Sequence, residues 1–373
     1  MEFKIAREEI LRGLGLTQSI VEKKNTIQIL SNVLLKSEQD VLTIEATDLE
    51  VGIRDTYTCE GIIEGGITVD AKMLYEVVRQ IPDGMTIHFK KQENNWVEIN
   101  AGRSVFNLVG LSSEDFPEVP LFPGDYQWFM EPPVIESMVD KTIFAVSHED
   151  VRYNLSGVYC EAVEESGGKT LRMVATDGHR LSLVETAIDG ELPEVLKKGI
   201  ILPRKGLSEL KKMLDEGEDA IGMRVEENNL MVHRDGTTLV MRLIDGRFPD
   251  YRQVIPQSND KVITFPREEF IRTLRRVSIL SYDRVRMVKF HISPNMVEIS
   301  SESPEMGTAR EEVPVEYSGN EFEIGFNANY ILDILNAVDD DVVVFRLLDD
   351  SSPGEVRPAE EKGYFFIIMP MKI

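Results

Sequence analysis

The chain has 373 residues, 42% of them hydrophobic, and a net charge of −24 at pH 7. That length suits two or three domains, each able to bury its own core, and so acidic a surface argues by itself against a phosphate-backbone partner. Two cysteines, Cys59 and Cys160, make no disulfide framework, no apolar run approaches a membrane span, and the start MEFKIAREEI is not a signal peptide, so an intracellular, cytoplasmic protein is expected.

In chain order the elements fall into three similar units. The first opens with a helix-like stretch, Arg7 to Gln18, that sets Arg7 and Arg12 against Ile10, Leu11 and Leu14. Next comes LTIEATDLEVGIR (Leu42 to Arg54), which reads as strand, polar turn, strand. GITVDAKMLYEVVRQI (Gly66 to Ile81) then reads as strand, break, helix, with Arg79 on the polar side. The unit ends in alternating strands and in FNLVGLSSEDFPEV, before a proline-rich linker from Phe116 to Pro123.

The same order returns. A helix from Pro133 to Phe144 leads through a polar connection, His148 to Asn154, to LRMVATDGHRLSLV (Leu171 to Val184), where Asp177-Gly178 supplies the turn. GIILPRKGLSELKKML (Gly199 to Leu214) follows, with Lys205 and Lys212 facing away from its leucines, and MRLIDGRFPDYRQV closes the unit. In the third unit Phe270, Leu274 and Val277 form a stripe, and Arg272, Arg275 and Arg276 project opposite it within an arc of roughly 100°. VEISSESPEMGTAR (Val297 to Arg310), FEIGFNANYILDILNAV (Phe322 to Val338) and the apolar tail FFIIMPMKI complete it. The turn-bearing stretches lie roughly 125 to 130 residues apart, the sign of a threefold repeat, and a helix followed by strands occurs twice in each third.

The expected fold is therefore α+β: three domains, 1–124, 125–256 and 257–373, each with two helices packed on antiparallel sheets. Basic residues gather on helix faces (Arg7, Arg79, Lys205, Lys212, Arg272, Arg276), while acidic ones crowd turns and surface strands. Helices presented to a common axis would give a positive inner surface in a negative particle, able to surround a polyanion. No P-loop, Rossmann fingerprint, zinc motif or nucleophile elbow is present, and Asp177 with His179 lacks a nucleophile or third ligand, so no catalytic residue, metal or cofactor is expected. Two rival classes stand beside the polyanion binder: an enzyme on an acidic or phosphorylated small substrate, and a monomeric protein-interaction scaffold.

ATDLE (Ala46 to Glu50), DVRYNLSG (Asp150 to Gly157), ATDGHRL (Ala175 to Leu181), FPDYR (Phe248 to Arg252), ILS (Ile279 to Ser281), IGFNANYILDILNA (Ile324 to Ala337) and the terminal MPMKI stand in this order along the chain. Over its whole length the sequence resembles the beta subunit of bacterial DNA polymerase III, the sliding clamp. The resemblance implies a non-catalytic processivity factor, a head-to-tail homodimer whose six domains close a ring around double-stranded DNA. It implies DNA contacts at Lys24, where an arginine is common, and in the loop with His148, Arg152, Tyr153 and Asn154.

The resemblance also implies a groove for short linear peptides from the polymerase alpha subunit, the clamp loader, and repair and translesion polymerases. Carried over, its walls are Leu155, Thr176, Gly178, His179, Arg180, Leu181, Pro249, Val254, Val285, Asn327, Tyr330, Ser352, Ile367, Ile368, Met369, Pro370 and Met371. Gln253 stands where an arginine is common and Val285 where a bulkier aromatic can sit, so the preferred peptide is expected to differ. The dimer contact is expected at Arg103, Phe106 and Leu108 on one side and Ile279 and Leu280 on the other, with Arg103 to Leu108 and Ile299 to Ser303 as edge strands.

Overall fold

The computed structural model describes residues 1–21, 27–165, 168–188, 192–215, 217, 219–281 and 286–373. Lys24 and Val285 lie outside them.

A strand–helix–three-strand motif occurs six times, twice in each repeat. The first repeat contains β1 (Glu2–Ala6), α1 (Arg7–Thr17), β2 (Asn32–Glu38), β3 (Val41–Thr47), β4 (Val51–Thr58) and a short β5 (Glu60–Ile63). It continues with β6 (Gly65–Asp70), α2 (Ala71–Gln80), β7 (Thr86–Lys91), β8 (Trp96–Ala101) and β9 (Ser104–Leu111). The second has β10 (Trp128–Met130), α3 (Pro132–Asp140), β11 (Gly157–Glu165), β12 (Gly168–Thr176), β13 (Arg180–Ala187) and a one-turn α4 (Glu194–Lys198). Then come β14 (Ile200–Pro203), α5 (Arg204–Leu214), β15 (Ile221–Glu226), β16 (Asn229–Arg234) and β17 (Thr237–Arg242). The third has β18 (Lys261–Pro266), α6 (Arg267–Val277), β19 (Met287–Ser293), β20 (Met296–Ser303) and β21 (Gly307–Pro314). It closes with β22 (Phe322–Asn327), α7 (Ala328–Ala337), β23 (Val342–Leu347), β24 (Gly354–Pro358) and β25 (Tyr364–Ile368).

Local chemistry sets the helix starts. The Asp70 carboxylate accepts from the Met73 amide (2.7 Å) and caps α2; the Asn327 side chain accepts from Asn329 (2.9 Å) and caps α7. α3 is shorter than expected: it ends at Asp140, and Ile143–Ala145 forms a separate 3-10 turn.

The chain divides into two compact units, one holding residues 1–136, 191–193 and 202–243, the other 137–190, 194–201 and 244–373. In the first unit a thirteen-stranded sheet runs β10-β15-β16-β17-β4-β3-β2-β6-β9-β8-β7-β1-β5. It joins two repeats where β17 pairs antiparallel with β4, Met241 opposite Val51. In the second unit an eight-stranded sheet runs β14-β11-β12-β13-β25-β24-β23-β18, joining repeats where β13 pairs with β25, Arg180 opposite Ile368. A four-stranded sheet there has the order β21-β20-β19-β22.

That order corrects one expectation. Ile299 to Ser303 is not an edge: β20 is bonded to β19 on one side and along its length to β21 on the other, so β21 is the outer strand. By contrast β9 touches β6 only at Gly110 and Leu111, leaving Ser104–Val109 open on that side.

Each core has its own aromatic filling. Phe3 stacks on Phe89 at 4.9 Å between ring centroids in the first repeat. In the third, Phe265 lies 4.2 Å from Phe270, which meets Phe290 and Phe345 edge-on. α6 buries Phe270, Ile271, Leu274 and Val277 as its periodicity requires.

Candidate functional site

The turn between β12 and β13 carries Thr176, Gly178, His179, Arg180 and Leu181, all expected to line the groove. Thr176 Oγ1 accepts from the Gly178 amide (3.1 Å) and donates to the Arg180 carbonyl (2.6 Å). The Asp177 carboxylate accepts from the amides of His179 (2.9 Å) and Arg180 (3.0 Å). Asp177 thus builds the turn. Gly178 has φ +88°, a left-handed backbone that favours glycine, and a Cβ there would lie 2.6 Å from Arg152 Nη1, which would have to swing aside.

Arg180 is 7% exposed. Its guanidinium donates to Asp177 Oδ2 (3.1 Å), Asp333 Oδ2 (2.6 Å) and the Phe144 carbonyl (2.6 Å), and lies 4.5 Å from the Tyr330 ring centroid. His179, exposed, stacks on Tyr330 with ring centroids 6.2 Å apart. Burial, then the Asp177 charge, raises the Tyr330 phenol above its ordinary value.

The C-terminal strand, with the tail residues expected in the groove, lies directly beside β13. Leu181 pairs with Ile367, the Met369 amide donates to the His179 carbonyl (2.9 Å), and the Met371 amide to the Gly325 carbonyl (2.8 Å). Leu155, Leu181 and Ile367 share one apolar cluster with Phe248 and Tyr251, and Ile368 is fully buried beside it. Met369 (36%) and Val254 (41%) are exposed, as is Pro249, while Pro370 and Met371 are half-buried. Asn327 spends its side-chain oxygen on the α7 cap, and Ser352 sits in a turn closed on Asp349, two residues before Gly354 pairs with Ile368. Backbone and side-chain bonds from Ser351 and Ser352 hold the Asp349 carboxyl down at about 2.

Behind the wall lies a polar network that the sequence did not disclose. Glu161, 6% exposed, accepts from the Tyr251 hydroxyl (2.5 Å) and Arg252 Nη2 (2.7 Å). Arg172 Nη1 donates to the Tyr251 hydroxyl (2.8 Å) and pairs with Glu185. The network fixes the Tyr251–Val254 turn and so holds Val254 at the rim. Burial, with Glu161 beside it, pushes the Tyr159 phenol up to about 12. FPDYR was the only signal for it; the partners are scattered along the chain.

The cations divide into two groups. Arg7 is largely buried, paired with Asp83 (2.6 Å) and donating to the Arg79 carbonyl (3.1 Å). Lys205 pairs with Asp48 and donates to the Ile20 carbonyl (3.0 Å). Both were expected on a free basic face; both instead hold elements together. Arg79 (50% exposed) and Lys212 (48%) stay on the surface, each in an i,i+3 ion pair, with Glu76 and Glu209, and Arg79 also lies over the Tyr75 ring. Arg272 is 70% exposed, 3.7 Å from Glu268, and Arg276 binds Glu311 of β21. In the loop, Tyr153 is exposed and His148 lies at the surface. Arg152 donates to the Asp177 carbonyl (2.9 Å) and Asn154 to the Arg247 carbonyl (2.9 Å), which ties this loop to the groove turn.

Of the residues expected at a dimer contact, Phe106 and Leu108 lean on the first repeat's core, Arg103 is exposed, Ile279 is 70% exposed and Leu280 half-buried. Among the described residues no cluster of His, Cys, Asp or Glu could hold a metal, and no helix is long and apolar enough to cross a membrane.

Three family models cover the chain: DNA polymerase III beta subunit, N-terminal domain over residues 1–120, central domain over 130–250 and C-terminal domain over 252–372. The beta sliding clamp of Caulobacter vibrioides is 38% identical over the full length of both chains, and that of Escherichia coli 33%. A crystal structure of a DNA polymerase III subunit beta sliding clamp from Bartonella birtlesii bound to griselimycin, 34% identical, superposes with a TM-score of 0.94 over all of both chains. The chain belongs to the DNA polymerase III beta subunit family. Its function is that of a DNA sliding clamp, a processivity subunit of replication with no reaction of its own.

Proposed function

We propose that two copies of this chain close head to tail into a ring around duplex DNA, and that the groove beside β13 and β25 tethers the polymerase. The pair of open strand edges carries this reading. The last strand of one repeat's first half joins the last strand of the next repeat's second half, β4 to β17 and β13 to β25. In that series the two left over are β21 and the Ser104–Val109 stretch of β9. Val105 (59%), Val109 (61%), Met306 (45%) and Ile279 (70%) are exposed at or near them, an aggregation hazard unless a partner covers them.

Carrying the register of β17 on β4 to this pair sets Leu108 opposite the partner's Met306, Phe106 opposite the partner's Thr308 and Val105 opposite the partner's Ala309. Arg103 and Leu280 flank the contact. A heterologous contact of this kind closes after two subunits when each spans half the circle. Domains bounded at 124/125 and 256/257 belong to the same reading.

Lys24, Arg79, His148, Arg152, Tyr153, Asn154, Lys212, Arg272 and Arg276 face the duplex in this proposal. They touch phosphates without reading bases, so that no register is fixed. Arg7 and Lys205 support that face by fixing the helices. Groove occupants are short linear peptides of the polymerase alpha subunit, the clamp loader, and repair and translesion polymerases, in the cytoplasm. Apolar anchors would enter between Leu155, Leu181 and Val254, and Met369 and Met371 would adapt to several partners.

The ring is tested with Val105→Cys and Ala309→Cys in one chain. Mild oxidation should give a covalent dimer, and either single variant none. The native thiols do not interfere, since Cys59 and Cys160 are buried. A chain that sediments as a monomer at micromolar concentration, with no cross-link, overturns the ring.

A further inference from the structure

A second groove of the same build occupies the other unit. The turn between β3 and β4 repeats the β12–β13 turn bond for bond. Thr47 Oγ1 accepts from the Leu49 amide (3.0 Å) and donates to the Val51 carbonyl (3.0 Å). The Asp48 carboxylate accepts from the amides of Glu50 (2.9 Å) and Val51 (2.7 Å). Each turn ends beside a strand of the following repeat, Val51 opposite Met241 and Arg180 opposite Ile368. Each also has a Phe-Pro-acid segment in its unit, at Phe116 and at Phe248. A cavity of about 330 Å³ lies between the β3–β4 turn, Pro117–Pro120 and the β15–β16 turn, within the size range of ligand pockets. Val51 (1%), Val119 (2%) and Val240 (4%) give it an apolar floor.

Two features separate this cavity from an accident of packing. Leu49 stands where the other turn has Gly178, with φ +79°, a left-handed backbone that a branched residue adopts only at a steric cost. Its side chain is 49% exposed on the cavity wall, so the fold gains little from it. An apolar group in the cavity would. The rim is also acidic: Glu50, Glu118 and Glu227 are exposed without ion-pair partners among the described residues, against Arg242 alone. The corresponding position to Glu50 in the other turn is His179, so the two grooves differ in charge.

We propose that this cavity is a second peptide site in each chain, taking a short extended segment of a partner protein with an apolar side chain flanked by lysines or arginines. The apolar side chain packs on Leu49 and the valine floor, and the flanking cations meet the three carboxylates. An acidic segment is repelled, which keeps ligands of opposite charge from competing for it. The site stands on the geometry of this unit alone and does not depend on the groove beside β25.

The test uses the full chain and a dye-labelled hexapeptide with two leucines flanked by lysines. Anisotropy should show saturable binding, weakened about tenfold by the triple change Glu50→Gln, Glu118→Gln, Glu227→Gln and by added salt. Leu49→Gly should weaken binding without lowering the melting temperature, since glycine removes the backbone strain; a leucine with only a structural role would show the reverse. Methyl NMR shifts should fall on Leu49, Val51, Val119 and Val240. No saturation at about 1 mM peptide, equal binding to the triple variant, equal binding of an acidic analogue, or shifts confined to Leu181, Ile367 and Ile368 would each overturn the proposal.

Discussion

At Arg180 two carboxylates, a carbonyl and an aromatic face converge on one buried guanidinium. Arg180→Ala leaves Asp177 and Asp333 without their cation and should cost about 2–4 kcal/mol in denaturant unfolding, discounted because Asp333 is partly exposed. Arg180→Lys keeps the charge and loses the fork, so it should recover only part of that. At Tyr159 the raised phenol pKa has a definite sign. Its stabilising contribution is complete below the ordinary tyrosine value near 10 and is lost as pH rises through about 12. The alkaline absorbance titration of the protein minus that of Tyr159→Phe should show that late phenolate; a midpoint near 10 contradicts the burial. Burial also pushes the Cys160 thiol up to about 12, so it should resist thiol reagents at neutral pH until the chain unfolds.

Elements were legible where their signals are local. The main helix of each half-repeat follows from periodicity, although α3 stops short and the one-turn α4 had no signal, and the turn expected at Asp177-Gly178 is the one that the Asp177 carboxylate closes. Misreadings arose where a distant residue decides. A helix wheel sets Arg7 and Lys205 away from the apolar stripe but says nothing of Asp83 and Asp48 across from them. Which strand is outermost is likewise decided by pairing: β20 is covered by β21 along its length, so the second strand of the turn-bearing stretch from Val297 to Arg310, and not the first, is the edge. The groove residues came from the resemblance, and of the Glu161 network only Tyr251 and Arg252 stood in a quoted motif, because its other members are scattered along the chain. Removing the last five residues takes away Met369 and Met371 but neither open edge. The shortened chain should still form dimers in sedimentation and lose polymerase-peptide binding; unchanged peptide affinity would displace the groove from this strand.

For the whole molecule the difficulty is the charge. A particle of net charge −24 should be repelled by DNA, and ordinary phosphate contacts weaken steeply with salt. A closed ring escapes this conflict, because its hold is topological and its exposed helix arginines only need to centre the duplex. Replacing Arg79, Lys212 and Arg272 together should therefore impair loading and sliding more than dimer formation, read by single-molecule diffusion and by sedimentation of the same variant. The most direct measurement places labelled protein on nicked circular DNA with a clamp loader, isolates the complex in high salt, and then cuts the circle. Encirclement predicts retention on the circle and release once free ends exist; equal retention on linear DNA with open ends would contradict it.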